Sequence, residues 1–135
     1  MKNNCILIVT SRFYPEISSS LEEESINIIK KKGYTYKLVD VPGAFEVPAA
    51  ISYASKTSKY IGYIALGCVI RGETYHFDLI ANECARKIID ISNTFLKPIG
   101  FGVLTCDNLK QAIVRSDVRK KNKGKEAANA CIKLL

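Results

Sequence analysis

The chain has 135 residues and a mass of 15.0 kDa, a length that fits one domain over residues 1–135. Hydrophobic residues make up 47% of it and charged residues 24%, which excludes a disordered chain and predicts a modest core. Because a small core leaves apolar surface uncovered, we expect part of the surface to be buried against other subunits. The formal net charge of +7 indicates an anionic partner, either nucleic acid or a small molecule such as a phosphate, unless the lysines simply solvate a helix face.

The N-terminus and the cysteines favour a cytoplasmic protein. Residues 1–4 are polar, and the apolar run at 5–9 is too short for the hydrophobic region of a signal peptide. No segment approaches the roughly 20 apolar residues that a membrane span needs. The five cysteines are odd in number and form no C-x-x-C pair, and there is a single histidine, so we expect free thiols and no metal site.

The first two elements are predicted to be a buried strand and a helix. Residues 5–10 (C-I-L-I-V-T) form a continuous aliphatic run, typical of a strand buried on both faces. The serines at 18–20 are good N-cap residues, and Ser20 stands three residues before Glu23 as in a capping box, which predicts that a helix begins there. The helix is predicted to end just before Gly33, since glycine readily adopts the left-handed conformation that follows a helix.

The middle of the chain repeats this alternation. Residues 34–41 predict a second strand, and residues 45–58 a short helix in which Pro48 is tolerable only in the first turn. Residues 60–70 (Y-I-G-Y-I-A-L-G-C-V-I) are the most apolar stretch and predict a central strand.

Three helices and one strand are predicted for the remainder. A long helix is expected from about residue 74 or 75 to 95, with an inner face formed by Ile80, Cys84, Ile88 and Ile91. Residues 98–105 predict a fourth strand. Asp107 and Asn108 cap another helix, with Gln111 at its third position, and a last helix is expected at 124–135.

Strands that alternate with helices predict parallel β-α-β crossovers and therefore an α/β fold. We expect a three-layer α/β/α sandwich with a central four-stranded parallel sheet. Ligands of such folds bind beyond the carboxyl ends of the strands, so the loops after Thr10, Val41, Ile70 and Thr105 are where a site is expected.

The first two of these loops carry aromatic residues and one acidic residue that could contact a ligand. Phe13 follows the first strand and either stacks on a planar ligand or packs against the start of the next helix. After the second strand, Pro42 and Gly43 predict a tight turn with free backbone amides. Glu46 follows, and it either complements a helix dipole or accepts hydrogen bonds from ligand hydroxyls while Phe45 packs against a ring.

The third loop joins a glycine-containing segment to a helix N-terminus, which presents free N–H groups suited to a phosphate. His76, the only histidine, falls in the first turn of that helix. Histidine is the side chain best suited to proton transfer near neutral pH, although a lone histidine is often incidental.

Four segments taken together resemble the lumazine synthase family. They are V-P-G-A-F-E-V-P at 41–48, A-L-G-C-V-I-R-G-E-T-Y-H-F-D at 65–78, P-I-G-F-G-V-L-T at 98–105 and N-K-G at 122–124. The similarity runs in order from about residue 6 to the C-terminus. Each motif is weak alone, whereas four in the same order are highly specific.

The resemblance implies a flavodoxin-like fold and the family's reaction. That reaction condenses 5-amino-6-(D-ribitylamino)uracil with 3,4-dihydroxy-2-butanone 4-phosphate, giving 6,7-dimethyl-8-ribityllumazine, phosphate and water, in riboflavin biosynthesis. It uses no metal and no organic cofactor. The family also implies a homopentamer, which in some members assembles further into a larger capsid. The four residues before the first strand favour the pentamer for this chain and leave the larger capsid as the alternative. No nucleic acid or membrane is expected as a partner.

By match to the family, each motif residue receives an expected role. His76 would transfer protons. The ribitylaminouracil pocket would be lined by Phe13, Ala44, Phe45, Glu46, Cys68, Val69 and Ile70. The phosphate would be received by Glu73, Thr74 and Arg115, with the Glu73 carboxylate turned outward. Phe101 and Lys123 would reach in from a neighbouring subunit.

Two other classes of protein remain as alternatives. A flavodoxin-like binding module that holds a flavin or nucleotide without chemistry would use the same glycine-rich loops and Phe13. A basic RNA-binding protein would use the cationic cluster at 110–125, but that cluster lacks the interleaved aromatic residues on which single-strand binders stack bases. His76, Arg115 and the full series of motifs favour the enzyme.

Overall fold

The computed structural model describes residues 3–57 and 59–135, and its centre is a sheet of four parallel strands. The strands are β1 (Cys5–Ser11), β2 (Thr35–Val41), β3 (Gly62–Ile70) and β4 (Ile99–Cys106), in the order β2-β1-β3-β4. β1 pairs with β2 from Cys5 opposite Thr35, and β3 pairs with β4 from Tyr63 opposite Ile99. The predicted parallel sheet is confirmed, and all four carboxyl ends lie at one edge.

Helices cover both faces of the sheet, which confirms the predicted three layers. They are α1 (Pro15–Lys31), α2 (Val47–Ser55), α3 (His76–Phe95), α4 (Leu109–Ser116) and α5 (Lys123–Lys133), with a 3-10 turn (Ala44–Glu46) before α2. α1, α4 and α5 pack on one face, against side chains such as Ile8 and Leu66. α2 and α3 pack on the other, against side chains such as Val9 and Ala65. The inner face predicted for α3 is confirmed, since its four members are buried.

The predicted start of α1 is wrong. The helix begins at Pro15, which is well suited to a first helical position because it has no N–H to leave unpaired and its φ is already helical. The serines at 18–20 therefore lie inside the helix, and Ser20 caps nothing. Ser18 is fully buried and its hydroxyl donates to the carbonyl of Ser11, at the end of β1. The predicted end holds, because Gly33 has a φ of 87° just beyond the helix.

The other boundaries differ from prediction by a few residues. The helix predicted at 45–58 begins as a 3-10 turn and becomes α2 at Val47, with Pro48 in the first turn as expected. It ends at Ser55, and the predicted last residue, Ser58, lies outside the described residues. The predicted cap of α4 is confirmed, because the Asn108 side chain accepts a hydrogen bond from the Gln111 N–H.

No helix in the described part of the chain is long and apolar enough to cross a bilayer.

Candidate active site

The loops at the carboxyl ends of β1, β2 and β3 enclose a cavity of about 660 Å³ with mostly apolar walls. Eight of the residues predicted to form a site line it, namely Phe13, Ala44, Phe45, Glu46, Cys68, Val69, Ile70 and His76. The turn residues Pro42 and Gly43 complete the wall after β2. The sheet therefore brings together residues from three separate segments of the sequence.

Aromatic rings form the outer wall of the cavity. Phe13 is 69% exposed and Phe45 is 63% exposed, which is unusual for such large apolar side chains and indicates a surface that receives a ligand or another chain. The Phe13 ring meets the Tyr14 ring edge to face, with centroids 5.1 Å apart and an angle of 67° between planes. This contact supports the Phe13 ring, and the exposed remainder of the ring is available for a planar ligand to stack on.

The cavity floor is the end of β3, where Cys68 lies buried beside Val69 and Ile70. Burial, with smaller contributions from Cys106, raises the pKa of the Cys68 thiol to about 12. The thiol is therefore protonated near neutral pH and is not a nucleophile. Cys68 contributes shape and backbone groups to the floor.

His76 stands at the first position of α3, at the mouth of the cavity. Its backbone N–H donates to the Thr74 hydroxyl at 3.3 Å, a contact that orders the turn before the helix. The residue is exposed, so its imidazole can exchange protons both with solvent and with a group held in the cavity.

The residues predicted to receive a phosphate do not line the cavity, although Glu73 and Thr74 precede His76 by three and two residues. Glu73 and Thr74 are exposed in the loop just before α3. Arg115 lies on α4, half-buried, and donates through Nη1 to the Gln111 carbonyl at 3.2 Å. No carboxylate of the described residues pairs with it. Burial raises the pKa of the Cys106 thiol, and the positive charge of Arg115 opposes that rise. Since Cys106 is the last residue of β4, the Arg115 guanidinium lies near the carboxyl end of that strand.

Phe101 and Lys123 do not join this cavity within one chain. Phe101 lies in β4 and borders a separate cavity of about 290 Å³ against α3. Lys123 begins α5, and its Nζ lies 2.8 Å from Glu126 Oε2. The prediction that Phe101 and Lys123 reach the site of a neighbouring subunit stays a prediction.

Sequence reasoning missed Tyr14 and Leu79, and it treated Ile80 only as a core residue, yet all three line the cavity. Two signals were available. Tyr14 directly follows Phe13. Leu79 is three residues after His76, and this spacing places His76 and Leu79 on one face of α3.

The described residues contain no group of three His, Cys, Asp or Glu side chains that could hold a metal ion. The polar side chains that line the cavity include the Glu46 carboxylate, which accepts hydrogen bonds, and the His76 imidazole, and the rest of the wall is mostly apolar.

Comparison with known proteins identifies the family. The family model of 6,7-dimethyl-8-ribityllumazine synthase matches residues 3–135. Proteins of that name from Bartonella bacilliformis and Bartonella henselae are 46% and 47% identical to this chain, over 98% and 96% of its length and 89% and 85% of theirs. The protein of that name from Zymomonas mobilis is 45% identical, over 96% of this chain and 92% of its own. This chain therefore belongs to the lumazine synthase family.

Proposed function

We propose that this chain is an enzyme of riboflavin biosynthesis that forms 6,7-dimethyl-8-ribityllumazine from 5-amino-6-(D-ribitylamino)uracil and 3,4-dihydroxy-2-butanone 4-phosphate. The observation that carries the proposal is the cavity at the strand ends, which gathers eight residues predicted to form the site from three segments of the chain. Family membership over residues 3–135 supports both the reaction and a single domain over residues 1–135.

The pyrimidine substrate is assigned to the cavity itself. Phe13 presents an exposed ring on which a planar heterocycle can stack. Glu46 lies in the wall with Ala44 and Phe45, where its carboxylate can accept hydrogen bonds from the ribityl hydroxyls. At the floor, the backbone of residues 68–70 supplies hydrogen-bonding groups to the edge of the ring.

The phosphate substrate is assigned to the mouth of the cavity, at the N-terminus of α3. The free N–H groups of Glu73 and Thr74 and the dipole of a 20-residue helix favour an anion there. Arg115 supplies a cation that no carboxylate of the described residues neutralises. A guanidinium and backbone amides together provide the charge-assisted hydrogen bonds that a leaving phosphate needs.

His76 is assigned to proton transfer between the two substrates. The reaction joins an amine to a ketone as an imine with loss of water, eliminates phosphate and closes the second ring, and each stage moves a proton. An imidazole between the pyrimidine cavity and the phosphate position can serve more than one of these stages. Holding both substrates side by side supplies much of the remaining acceleration.

We further infer that the chain works as a homopentamer in which Phe101 and Lys123 complete a neighbour's site. The support is apolar surface that one chain leaves open, at Phe101 and at Ile89 and Leu96 of the α3 region. The odd number of cysteines without close pairs supports a reducing cytoplasm. We propose neither nucleic acid nor membrane as a partner, since the basic residues at 110–125 are largely solvated and Arg119 is paired with Asp117.

The proposed function is tested by mixing the purified protein with both substrates and following lumazine absorbance and fluorescence above the uncatalysed rate. We expect faster product formation that requires each substrate. Only the background rate, from a folded protein, would overturn the proposal, and tight binding of a flavin in the same preparation would then support the binding module instead.

A further inference from the structure

An arginine that plays no part in the reaction as described above links two walls of the cavity. Arg12 directly follows β1 and precedes Phe13. Its Nη2 lies 2.6 Å from both carboxylate oxygens of Glu22 in α1, and its Nε lies 2.9 Å from Asp40 Oδ1 in β2. Its backbone N–H also donates to the Val41 carbonyl at 3.3 Å. One residue thus joins three elements.

Arg12 lies where two loops that carry the residues assigned to the pyrimidine begin, since it starts one of them and its partners Asp40 and Val41 immediately precede the other. We call them the β1 loop (residues 12–14) and the β2 loop (residues 42–46). The β1 loop presents Phe13, and the β2 loop presents Glu46. The two loops belong to strands that are neighbours in the sheet, but the sheet pairing ends at Ser11 and Val41. Arg12, the first residue after that pairing, contacts Asp40 and Val41 and so ties the start of the β1 loop to the end of the strand from which the β2 loop leaves.

The carboxylate that anchors Arg12 is itself held firmly. The Glu22 side chain is only 12% exposed, and it also accepts a hydrogen bond from the Thr10 hydroxyl at 2.7 Å. A buried carboxylate needs such partners, so the Glu22–Arg12 contact is strongly favoured. Asp40, in contrast, is 59% exposed, which makes it the separable part of the arrangement.

We propose that Arg12 is a positioning residue for the pyrimidine substrate, which sets the distance between Phe13 in the β1 loop and Glu46 in the β2 loop. Its planar guanidinium carries five donors and bridges two carboxylates at once, which a lysine ammonium on a flexible stem does less well. This inference rests on the proposed function for the identity of the ligand.

The phosphate half of the site is held by a different arginine. Arg71 contacts Asp107 through Nε at 3.1 Å and Asp78 through Nη1 at 3.4 Å, which ties the loop after β3 to the loop after β4. Its guanidinium also lies 4.4 Å from the centre of the Phe77 ring. Loss of Arg12 should therefore disturb the pyrimidine half and spare the phosphate half.

The experiment compares Arg12→Ala, Arg12→Lys and Asp40→Asn with the unmodified protein and with Arg119→Ala as a matched control. Arg119 is an exposed arginine whose ion pair with Asp117 touches neither loop. Asp40→Asn removes only the ion pair between Arg12 and the end of β2 and keeps the buried Glu22 pair, so it serves if Arg12→Ala does not fold. Two readouts are taken, the Michaelis constant of each substrate and amide hydrogen exchange in the two loops.

For Arg12→Ala we expect the KM of the pyrimidine to rise about tenfold and the KM of the phosphate substrate to change by less than about twofold. Asp40→Asn should shift the same constant in the same direction by a smaller factor, and Arg12→Lys should not restore it. Amides of both loops should exchange about tenfold faster in Arg12→Ala, with α5 unchanged. Arg119→Ala should match the unmodified protein.

Equal rises in both Michaelis constants, or loops that exchange at the original rate, would overturn the positioning role. An unmodified protein that forms no lumazine would overturn the proposed function instead. In that case the exchange measurement alone decides whether Arg12 holds the two loops together.

Discussion

His76 is the residue to which the proposed function assigns proton transfer between the two substrates. It begins α3 at the mouth of the cavity, between the aromatic wall and the loop that is assigned to the phosphate. Its neighbour on the cavity floor, Cys68, is excluded from nucleophilic catalysis because burial raises the pKa of its thiol to about 12. The proposed function therefore assigns proton transfer to the imidazole and not to this thiol.

We expect His76→Ala to lower kcat by about 100-fold, the lower end of what a general acid–base contributes, and to leave a rate above background. The residual rate reflects the orientation of two substrates in one cavity. Steady-state kinetics measure the fall in kcat and the residual rate above background. His76→Gln is the control for packing and should be as slow as His76→Ala. Activity reduced to the background rate would mean that His76 does more than move protons, and an unchanged kcat would remove it from the mechanism.

Arg115→Ala should raise the KM of the phosphate substrate by about 10- to 100-fold, the value of a charge-assisted hydrogen bond of about 1.5–3 kcal/mol. The KM of the pyrimidine should stay within about twofold. Initial-rate measurements with each substrate varied in turn separate the two constants. Arg119→Ala, four residues further along the chain, removes a positive charge that is exposed and should change neither. An unchanged KM for the phosphate substrate in Arg115→Ala would remove Arg115 from that position.

At the residue scale, the motifs predicted most of the cavity wall but not what holds it in place. Phe13, Glu46 and His76 each follow or begin an element whose position could be predicted, so their gathering at one edge followed from the parallel sheet. The partners of Arg12 could not be predicted, because Asp40 and Glu22 are 28 and 10 residues away and their contacts depend on the relative placement of three elements.

Among the elements, α5 lies unusually close to its neighbours, and two motif glycines permit this. A methyl group added at Gly124, near the start of α5, would lie 2.4 Å from the Leu21 carbonyl oxygen in α1. One added at Gly100 in β4 would lie 1.9 Å from the Ala127 carbonyl oxygen. These glycines of the third and fourth motifs are therefore needed for packing, whichever residues of those motifs contact substrate.

Gly124→Ala should lower the free energy of unfolding by about 1–3 kcal/mol, because the backbone of Leu21 must move to admit the methyl group. Urea unfolding at one fixed protein concentration measures the change. Gly72→Ala is the matched control, since nothing lies within 4 Å of the added methyl group, and it should stay within about 0.5 kcal/mol. Equal stabilities for the two variants would show that α5 does not approach α1 this closely.

The elements also show where local sequence signals mislead. Three consecutive serines look like helix caps, yet Pro15 begins α1 earlier and the first turn is stabilised by tertiary contacts, such as that of the buried Ser18 hydroxyl with Ser11. A cap signal describes only the residues around it. Burial of Ser18 depends on how α1 lies against β1, which the local pattern does not contain.

For the whole molecule, we propose that Phe101 and Lys123 of a second chain complete the site. In one chain these residues lie away from the cavity, Phe101 in β4 and Lys123 at the start of α5. Alternation of strands and helices was enough to predict the layers and the parallel sheet. It contains no information on which exposed apolar side chains meet another copy, since that depends on the shape of the assembled surface.

Mixing two impaired variants tests the shared site. Phe13→Ala and Phe101→Ala, unfolded and refolded together in equal amounts, should recover about one quarter of the original activity at low pyrimidine concentration, because random assembly leaves that share of sites with both rings. Phe13→Ala mixed with Phe45→Ala is the control and should recover none, since both rings belong to the cavity of one chain. Equal recovery in the two mixtures, or none in the first, would contradict a site between subunits.

The central claim is that the pyrimidine binds in the cavity at the ends of β1, β2 and β3. A crystal structure of the protein with 5-amino-6-(D-ribitylamino)uracil bound tests it most directly. We predict the ring stacked on Phe13, the ribityl chain at Glu46 and a neighbouring Phe101 closing the site. A ring bound instead in the separate cavity of about 460 Å³ between α2 and α3, with the strand-end cavity empty, would contradict the account.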